Sequence, residues 1–408
     1  MSKTIALLGA LDTKGAEYQF VKECIERRGH RTLVIDVGVL GPPAFPPDIG
    51  REEVAQTGGG NAEALRQQKD RGQAMAVMSR GAVALLAKLH TQRRFDAVLA
   101  LGGTGGTSLA CAAMRALPMG VPKVMVSTVA GGDVSGYVGV TDIVMVPSIV
   151  DVSGINRISR EVFSRAVGSV CGMVETEVQP GRDKPLIAAS MFGNTTPAVE
   201  RARSQLERQG YEVLVFHCTG TGGRTMESLI HARMIAGVLD ITTTEWADEL
   251  VGGVLSAGPA RLAAAARCGA PAIVAPGCLD MVNFGAPPTV PAAFKGRKFY
   301  PHNPNVTLMR TTPEENGRLG KVIAARLNQS TGPVTVLLPL QGVSMIDAPG
   351  GPFWWPEANQ ALFAALKQDL RQDIPVVELD CNINDPLFAD ACVKHLLANM
   401  ALAPAAGS

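Results

Sequence analysis

Neither sign of charge is in excess: 38 Lys and Arg face 37 Asp and Glu, leaving a net charge of +1. Duplex nucleic-acid binding displaces counterions from phosphates with a basic surplus, which this chain lacks. Charged residues are 18% of the sequence, against a usual figure of about 25%, whereas hydrophobic residues are 46%. A chain with this much apolar surface and so little charge is neither disordered nor a collagen-like fibre. Long apolar runs are also missing. The early stretch from Ile5 to Leu8 is too short for the roughly 7–15 residues of a signal-peptide core or the about 20 of a membrane span. The expected setting is the cytoplasm, with no membrane partner. Eight cysteines are scattered without a C-x-x-C pair, mostly among apolar neighbours, as buried reduced thiols are. H-x-x-x-H, carboxylates paired at helical spacing and G-x-S-x-G are absent, so zincin, di-iron and α/β-hydrolase readings lack support.

What is present is length, glycine and a repeated pattern. At about 150 residues per domain, 408 residues suggest two or three domains. Gly (44) and Pro (27) are plentiful, but below the roughly 25–30% of low-complexity chains. Residues 4–9 form an apolar run, residues 16–28 carry apolar positions at helical spacing, and residues 31–38 are a second β-branched run ending near Asp36. That is a β-α-β unit. A helical stretch near 73–90, a buried strand over 95–101, a helix from Ser108 and a strand over 123–127 continue the alternation, which implies a parallel α/β sheet.

The same pattern restarts after the Pro-containing stretch 178–185. Residues 5–13 lie 182 positions before residues 187–195, and Gly29 and Asp36 lie 181 before Gly210 and His217. FDAVLALGGT (95–104) likewise resembles IAGVLDITTT (235–244). The expectation is α/β architecture with two Rossmann-like lobes, 1–180 and 181–408, mostly parallel sheets, an internal duplication and a boundary near 175–185. Generic α/β patterning is the alternative source of the likeness.

Ligands of open parallel sheets bind beyond the carboxyl ends of the strands. In the first lobe those positions carry Asp12, Thr13 and Lys14, then Asp36, then the run Gly102, Gly103, Thr104, Gly105, Gly106 and Thr107, then Ser127 and Thr128. Side-chain-free residues at a helix start let backbone N–H groups reach phosphate oxygens. The run is not a Walker A loop, since no Lys-Ser or Lys-Thr follows at the required spacing. A tight strand-to-helix turn is the other account of it. Lys14 would supply the missing cation, Asp12 would hold Mg²⁺ and Thr13 would bond a phosphate; an N-cap explains the same DTK triplet. Asp36 is placed to bind a ribose hydroxyl, as in dinucleotide folds, or is a solvated strand end.

In the second lobe, PGCLDMVNFG carries Asp280 and Asn283, and YPHNPN carries His302, Asn303 and Asn305. Acid, amide and imidazole on proline- and glycine-shaped loops suit acid/base work on a substrate. Residues 217–223 (HCTGTGG) form a second candidate anion loop, and Thr242, Thr243, Thr244 and Glu245 stand where the first lobe has its glycines. Trp354 and Trp355 suit an interface or lid.

Together, GALDTK, LALGGTGGTSL, LPMGVPKVMVSTVA and VPSIVDVSGIN resemble the ATP-binding family typified by the N-terminal region of the tomato mosaic virus resistance protein. The likeness spans nearly the whole chain. It implies two Rossmann-like lobes, ATP with Mg²⁺ in the first lobe, and a homodimer. Position by position, Asp12, Thr13 and Lys14 match the first nucleotide-contacting loop, and Gly102 to Thr107 the phosphate loop. In the plant protein the region binds a viral helicase-containing replication protein and a barrel domain follows it. The resemblance does not extend to that barrel within these 408 residues, which leaves room for a separately encoded barrel protein as partner. The expected activity is ATP-dependent phosphoryl or adenylyl transfer onto a small acidic or sugar-like metabolite, with ATP on the first lobe and Asp280, Asn283, His302 and Asn303 serving the substrate across the cleft. A non-catalytic, nucleotide-gated protein-binding module is the alternative, and an NAD(P) oxidoreductase resting on Asp36 is a third reading.

Overall fold

The structure, a computed structural model, describes residues 2–178, 181 and 183–403. The expected boundary segment 175–185 therefore includes positions, 179, 180 and 182, that lie outside the described residues. The chain divides into two compact units, Met1–Pro180 and Gly181–Ser408.

The first unit runs β1 (Thr4–Gly9), α1 (Gly15–Arg27), β2 (Arg31–Asp36), α2 (Arg51–Thr57), α3 (Ala62–Gln68) and α4 (Arg71–Thr91). It continues through β3 (Ala97–Gly102), α5 (Thr104–Arg115), β4 (Lys123–Ser127), α6 (Ser135–Val138), β5 (Ile143–Pro147) and α7 (Arg157–Glu175). Its five strands are all parallel in the order β2-β1-β3-β4-β5. Strands buried on both faces need continuous apolar sequence, and AVLALG of β3 is buried at every position. One face packs Val21 and Ile25 of α1 with Phe163 and Val167 of α7. The other packs Val54 of α2, Leu85 of α4 and Met114 of α5.

The second unit starts β6 (Leu186–Met191), α8 (Thr196–Arg208), β7 (Glu212–His217), α9 (Thr221–His231), β8 (Gly237–Thr242), α10 (Glu245–Val251), α11 (Ala263–Cys268) and β9 (Ala272–Gly277). It then inserts β10 (Met281–Phe284), β11 (Phe299–Asn303) and β12 (Val306–Arg310). It closes with α12 (Pro313–Leu327), β13 (Val334–Pro339), α13 (Pro356–Asp369), β14 (Val376–Leu379) and α14 (Pro386–Leu402). Six parallel strands run β14-β13-β9-β8-β6-β7, and β10-β12-β11 form a separate antiparallel sheet. Read from β7, this is the first unit's order with one strand added. The two Rossmann-like lobes thus share a topology, and in both the first and last helices cover the same face.

In this order the chain turns back on itself between β1 and β3, and between β6 and β8, which are the points where such sheets bind ligands. Tyr18 marks the first of them. Its hydroxyl donates to the Leu8 carbonyl (2.6 Å) and accepts the Leu101 N–H (2.8 Å), bridging β1 and β3 where their ladder ends. A Cβ on Gly9 would collide with the Tyr18 ring, so glycine is required there.

Among the described residues no helix is long and apolar enough to cross a membrane. All eight cysteines are free, and all but Cys268 are buried.

Candidate functional site

The loop after β1 faces inward. One Asp12 carboxylate oxygen accepts the N–H groups of Leu40 (2.7 Å) and Gly41 (3.1 Å). The other lies against Gly38, where a Cβ would collide with it, and has no hydrogen-bond partner. The Arg51 guanidinium stands 3.9 Å away. Asp12 is thus the anion of its own chain's loop 38–41. It does not fit the role of Mg²⁺ ligand, which needs a carboxylate oxygen turned toward phosphate and water. Lys14 donates its ammonium to the Val152 carbonyl, tying the loop after β5 to the start of α1. Thr13 is exposed. Asp36 is 1% exposed and accepts the N–H groups of Leu11 (3.0 Å) and Gly38 (2.9 Å). Arg51 stands 2.8 Å away as an ion pair, not aligned as a hydrogen bond. Burial holds the Asp36 pKa above the usual carboxylate range, with the N–H groups and Arg51 opposing it. So placed, Asp36 is out of reach of a ribose hydroxyl.

The glycine run is different. Helix α5 begins at Thr104, earlier than the sequence suggests, so Thr104 to Thr107 are its first turn and Gly103 its N-cap, with no capping side chain. Its first N–H groups have no intrahelical partner by geometry. Gly102 has a packing reason, because a Cβ would come within 3.1 Å of Gly106. Gly103, Gly105 and Gly106 have none: a Cβ there meets nothing nearer than 3.7 Å, and none has positive φ. After β4 the same holds for Gly131, Gly132 and Gly136. Glycine in a helix costs about 1 kcal/mol relative to alanine, yet Gly105 and Gly106 occupy the first turn of one. Six glycines, three at the start of α5 and three in the segment from 131 to 136 that follows β4, therefore keep backbone bare where neither packing nor dihedral angle asks for it. Beneath them Thr107 and Ser127 share a buried 2.6 Å hydroxyl hydrogen bond, and exposed Thr128 donates its N–H to the Gly102 carbonyl (3.3 Å). The cation beside this surface is one that sequence reading missed. An Arg71 guanidinium nitrogen lies 3.7 Å from the Cβ position of Gly105, brought there from the start of α4 by tertiary packing alone.

The second lobe fills its corresponding positions with its own side chains. The N–H groups of Gly220 (2.8 Å) and Gly223 (3.0 Å) donate to one Glu245 oxygen, so the anion of the HCTGTGG loop is Glu245. Arg261 donates to the other oxygen (2.7 Å) and forms a bidentate pair with Asp240 (2.6 and 2.7 Å). Thr195 and Thr242 hydroxyls meet at 2.8 Å between β6 and β8, and Thr242, Thr243 and Thr244 are fully buried.

The four residues expected to serve a substrate fall in two surroundings. Asp280 is fully buried; one oxygen accepts the Ser344 hydroxyl (2.8 Å), the other has no partner, and burial, with Asp347 adding to it, pushes its pKa to about 7. Arg310, also buried, joins Asp347 (3.3 Å) and Asn359 (3.0 Å) in the same network. Asn283 donates its backbone N–H and side-chain amide to Asp248 (2.9 and 2.7 Å), whose pKa burial raises to about 7. His302 and Asn303 are exposed on the β11–β12 hairpin, where Asn303 accepts the Asn305 N–H (2.9 Å) to shape the turn. No hydrogen bond among the described residues joins the buried pair to the exposed pair. The described residues also hold no group of three or more His, Cys, Asp or Glu suited to a metal ion.

Comparison with known proteins bears on the whole chain. It is 52% identical to a UPF0261 protein of Clostridium tetani (strain Massachusetts / E88), covering 98% of this chain and all of that one. It is 43% identical to the ToMV resistance protein Tm-1(GCR237) of Solanum lycopersicum, over 80% of this chain and 44% of the tomato protein. A UDP-N-acetylglucosamine 2-epimerase structure from Rickettsia bellii aligns with 98% of each chain at 10% identity and a TM-score of 0.23, too low to bear on fold or ligand. Residues 3–179 match the N-terminal domain, and residues 184–400 the C-terminal domain, of an uncharacterised protein family (UPF0261). Both lobes being matched, the chain belongs to the UPF0261 family.

Proposed function

We propose that the first lobe binds ATP, with its phosphates on the bare backbone at the start of α5 and beside β4, and that the protein uses it on a small metabolite by phosphoryl or adenylyl transfer. The observation that carries this reading is the set of six glycines that no contact or dihedral angle within the chain requires. Backbone N–H groups at a helix start favour an anion there, and Arg71 adds a positive charge. Mg²⁺ enters this reading on the phosphates of ATP rather than on Asp12. A homodimer, a cytoplasmic setting in which the eight thiols stay reduced, and a separate barrel protein as partner complete it. A nucleotide-gated protein-binding module is the second reading; the internal hydrogen bonds that occupy Asp280 and Asn283 favour it.

Titration calorimetry with ATP and Mg²⁺, on the parent and on a Gly105→Ala, Gly106→Ala variant, tests the site. Alanine raises helix propensity, so the variant is expected to melt higher while binding ATP at least tenfold more weakly. Unchanged affinity removes the glycine surface from the site. Assay of the same samples for ADP, AMP and pyrophosphate across a metabolite panel separates the two readings: turnover supports the enzyme, and tight binding without turnover the module.

A further inference from the structure

A pocket of about 610 Å³ opens in the first lobe beside the loop after β2 and the α2–α3 junction. That volume is within the usual range for small-molecule sites, and neither the α5 glycines nor Arg71 lines it. Arg51, Glu52, Gln56, Asn61, Glu63 and Arg66 supply its polar lining. Their charges do not act alike. Arg51 is 8% exposed and stands 2.8 Å from Asp36 and 3.9 Å from Asp12, two carboxylates to one guanidinium. Arg66 is bound by Glu63 through two hydrogen bonds of 2.8 and 2.6 Å. Glu52 has no ion-pair partner, and the Gln56 side chain has no hydrogen-bond partner, among the described residues. With a carboxylate beside each arginine, the lining offers a ligand the Glu52 carboxylate, the Gln56 amide and the Asn61 amide N–H groups. An anionic ligand would meet Glu52 and two arginines that already face carboxylates, whereas hydroxyl groups can donate to Glu52 and exchange hydrogen bonds with Gln56 and Asn61.

We infer that this pocket binds a small polyhydroxylated molecule, a sugar or polyol, that carries no negative charge. The inference deepens the proposed function by moving the metabolite site from the second lobe into the first and by choosing the sugar-like class over the acidic one. β2 is two strands from β3 in the sheet, a separation of about 10 Å, so the pocket and the glycine surface share one edge of one sheet.

The test is calorimetry and thermal shift on the full chain with ribitol, glucose and glucosamine, their anionic counterparts gluconate and glucose 6-phosphate, and adenosine. Glu52→Gln and Gln56→Leu, both at exposed positions of α2, are measured alongside the parent and are expected to leave melting temperature unchanged. The expected result is that a neutral or amino sugar or polyol binds, that its anionic counterpart binds at least tenfold more weakly, and that each variant weakens the sugar at least fivefold without changing ATP affinity. Preference for the anionic compounds, binding by no member of the panel, or affinity indifferent to both variants overturns the inference. Loss of ATP or adenosine binding in the variants also overturns it, by making the pocket the nucleoside end of the ATP site. Sugar binding in a protein that fails to bind ATP leaves this inference standing while the proposed function falls.

Discussion

At the scale of single residues, the first lobe depends on a tyrosine that carries no recognisable motif. The Tyr18 hydroxyl serves both the Leu8 carbonyl and the Leu101 N–H where water does not reach. Tyr18→Phe leaves both groups unpaired and is expected to cost about 1–3 kcal/mol in urea unfolding; a loss within error assigns the hydroxyl no such role. In the second lobe the buried acids set a pH dependence. Burial raises the Asp280 and Asp248 pKa values from 3.8 to about 7. Between those limits the folded state holds protons that the unfolded state has released. The contribution of these two acids to stability is therefore greatest near pH 4, falls as pH rises to about 7, and is level above that. Asp280→Asn imitates the protonated carboxyl, so the variant should match the parent at pH 5, exceed it at pH 8 and show a shallower slope. Equal slopes in denaturant midpoints would remove Asp280 from the titration. DTK, HCTGTGG and Asp280 could be picked out in the sequence as polar residues after strands. That Asp12 and Glu245 are anions consumed by their own loops could not, because each finds its N–H partners 22 to 29 residues away.

At the scale of elements, glycine has two opposite uses, and only tertiary contacts tell them apart. Gly58 and Gly81 are where α2 meets α4: a Cβ on Gly81 would overlap the Val54 carbonyl oxygen, and one on Gly58 the Val77 carbonyl oxygen. The Gly58–Gly60 triplet thus has a packing role, with Arg80 donating to the Gly58 carbonyl (3.1 Å). Gly81→Ala should destabilise the first lobe by about 1–3 kcal/mol, as overpacking does, despite its gain in helix propensity. The α5 glycines predict the reverse sign for the same substitution, and thermal melts of the two variants side by side check the contrast. The strands of the parallel sheets were legible from apolar periodicity through β4 in the first lobe and through β9 in the second, with β1 and β4 read to the residue, whereas β5, β13 and β14 were not read. The antiparallel sheet was not, since YPHNPN contains two prolines and reads as a loop; β11 tolerates Pro301 because it is an edge strand paired only to β12.

At the scale of the molecule, the low charge predicts association. Leu40 (73% exposed), Ile149 (72%) and Val178 (88%) are large apolar side chains left at the surface, and light scattering at micromolar concentration is expected to give the mass of a dimer. A monomeric mass would contradict this. Local sequence is enough for the two α/β lobes and the parallel sheets, because a strand buried on both faces must be continuously apolar and a helix covering it must repeat its apolar positions every three to four residues. It also placed the glycine run at the end of β3. Tertiary structure alone decided which polar loops are spoken for. Whether a carboxylate or a glycine is available to a ligand depends on what the fold brings against it from far along the chain, as Arg51 and loop 38–41 come to Asp12, Gly220 and Gly223 to Glu245, and Arg71 to Gly105; local sequence carries no record of those distances.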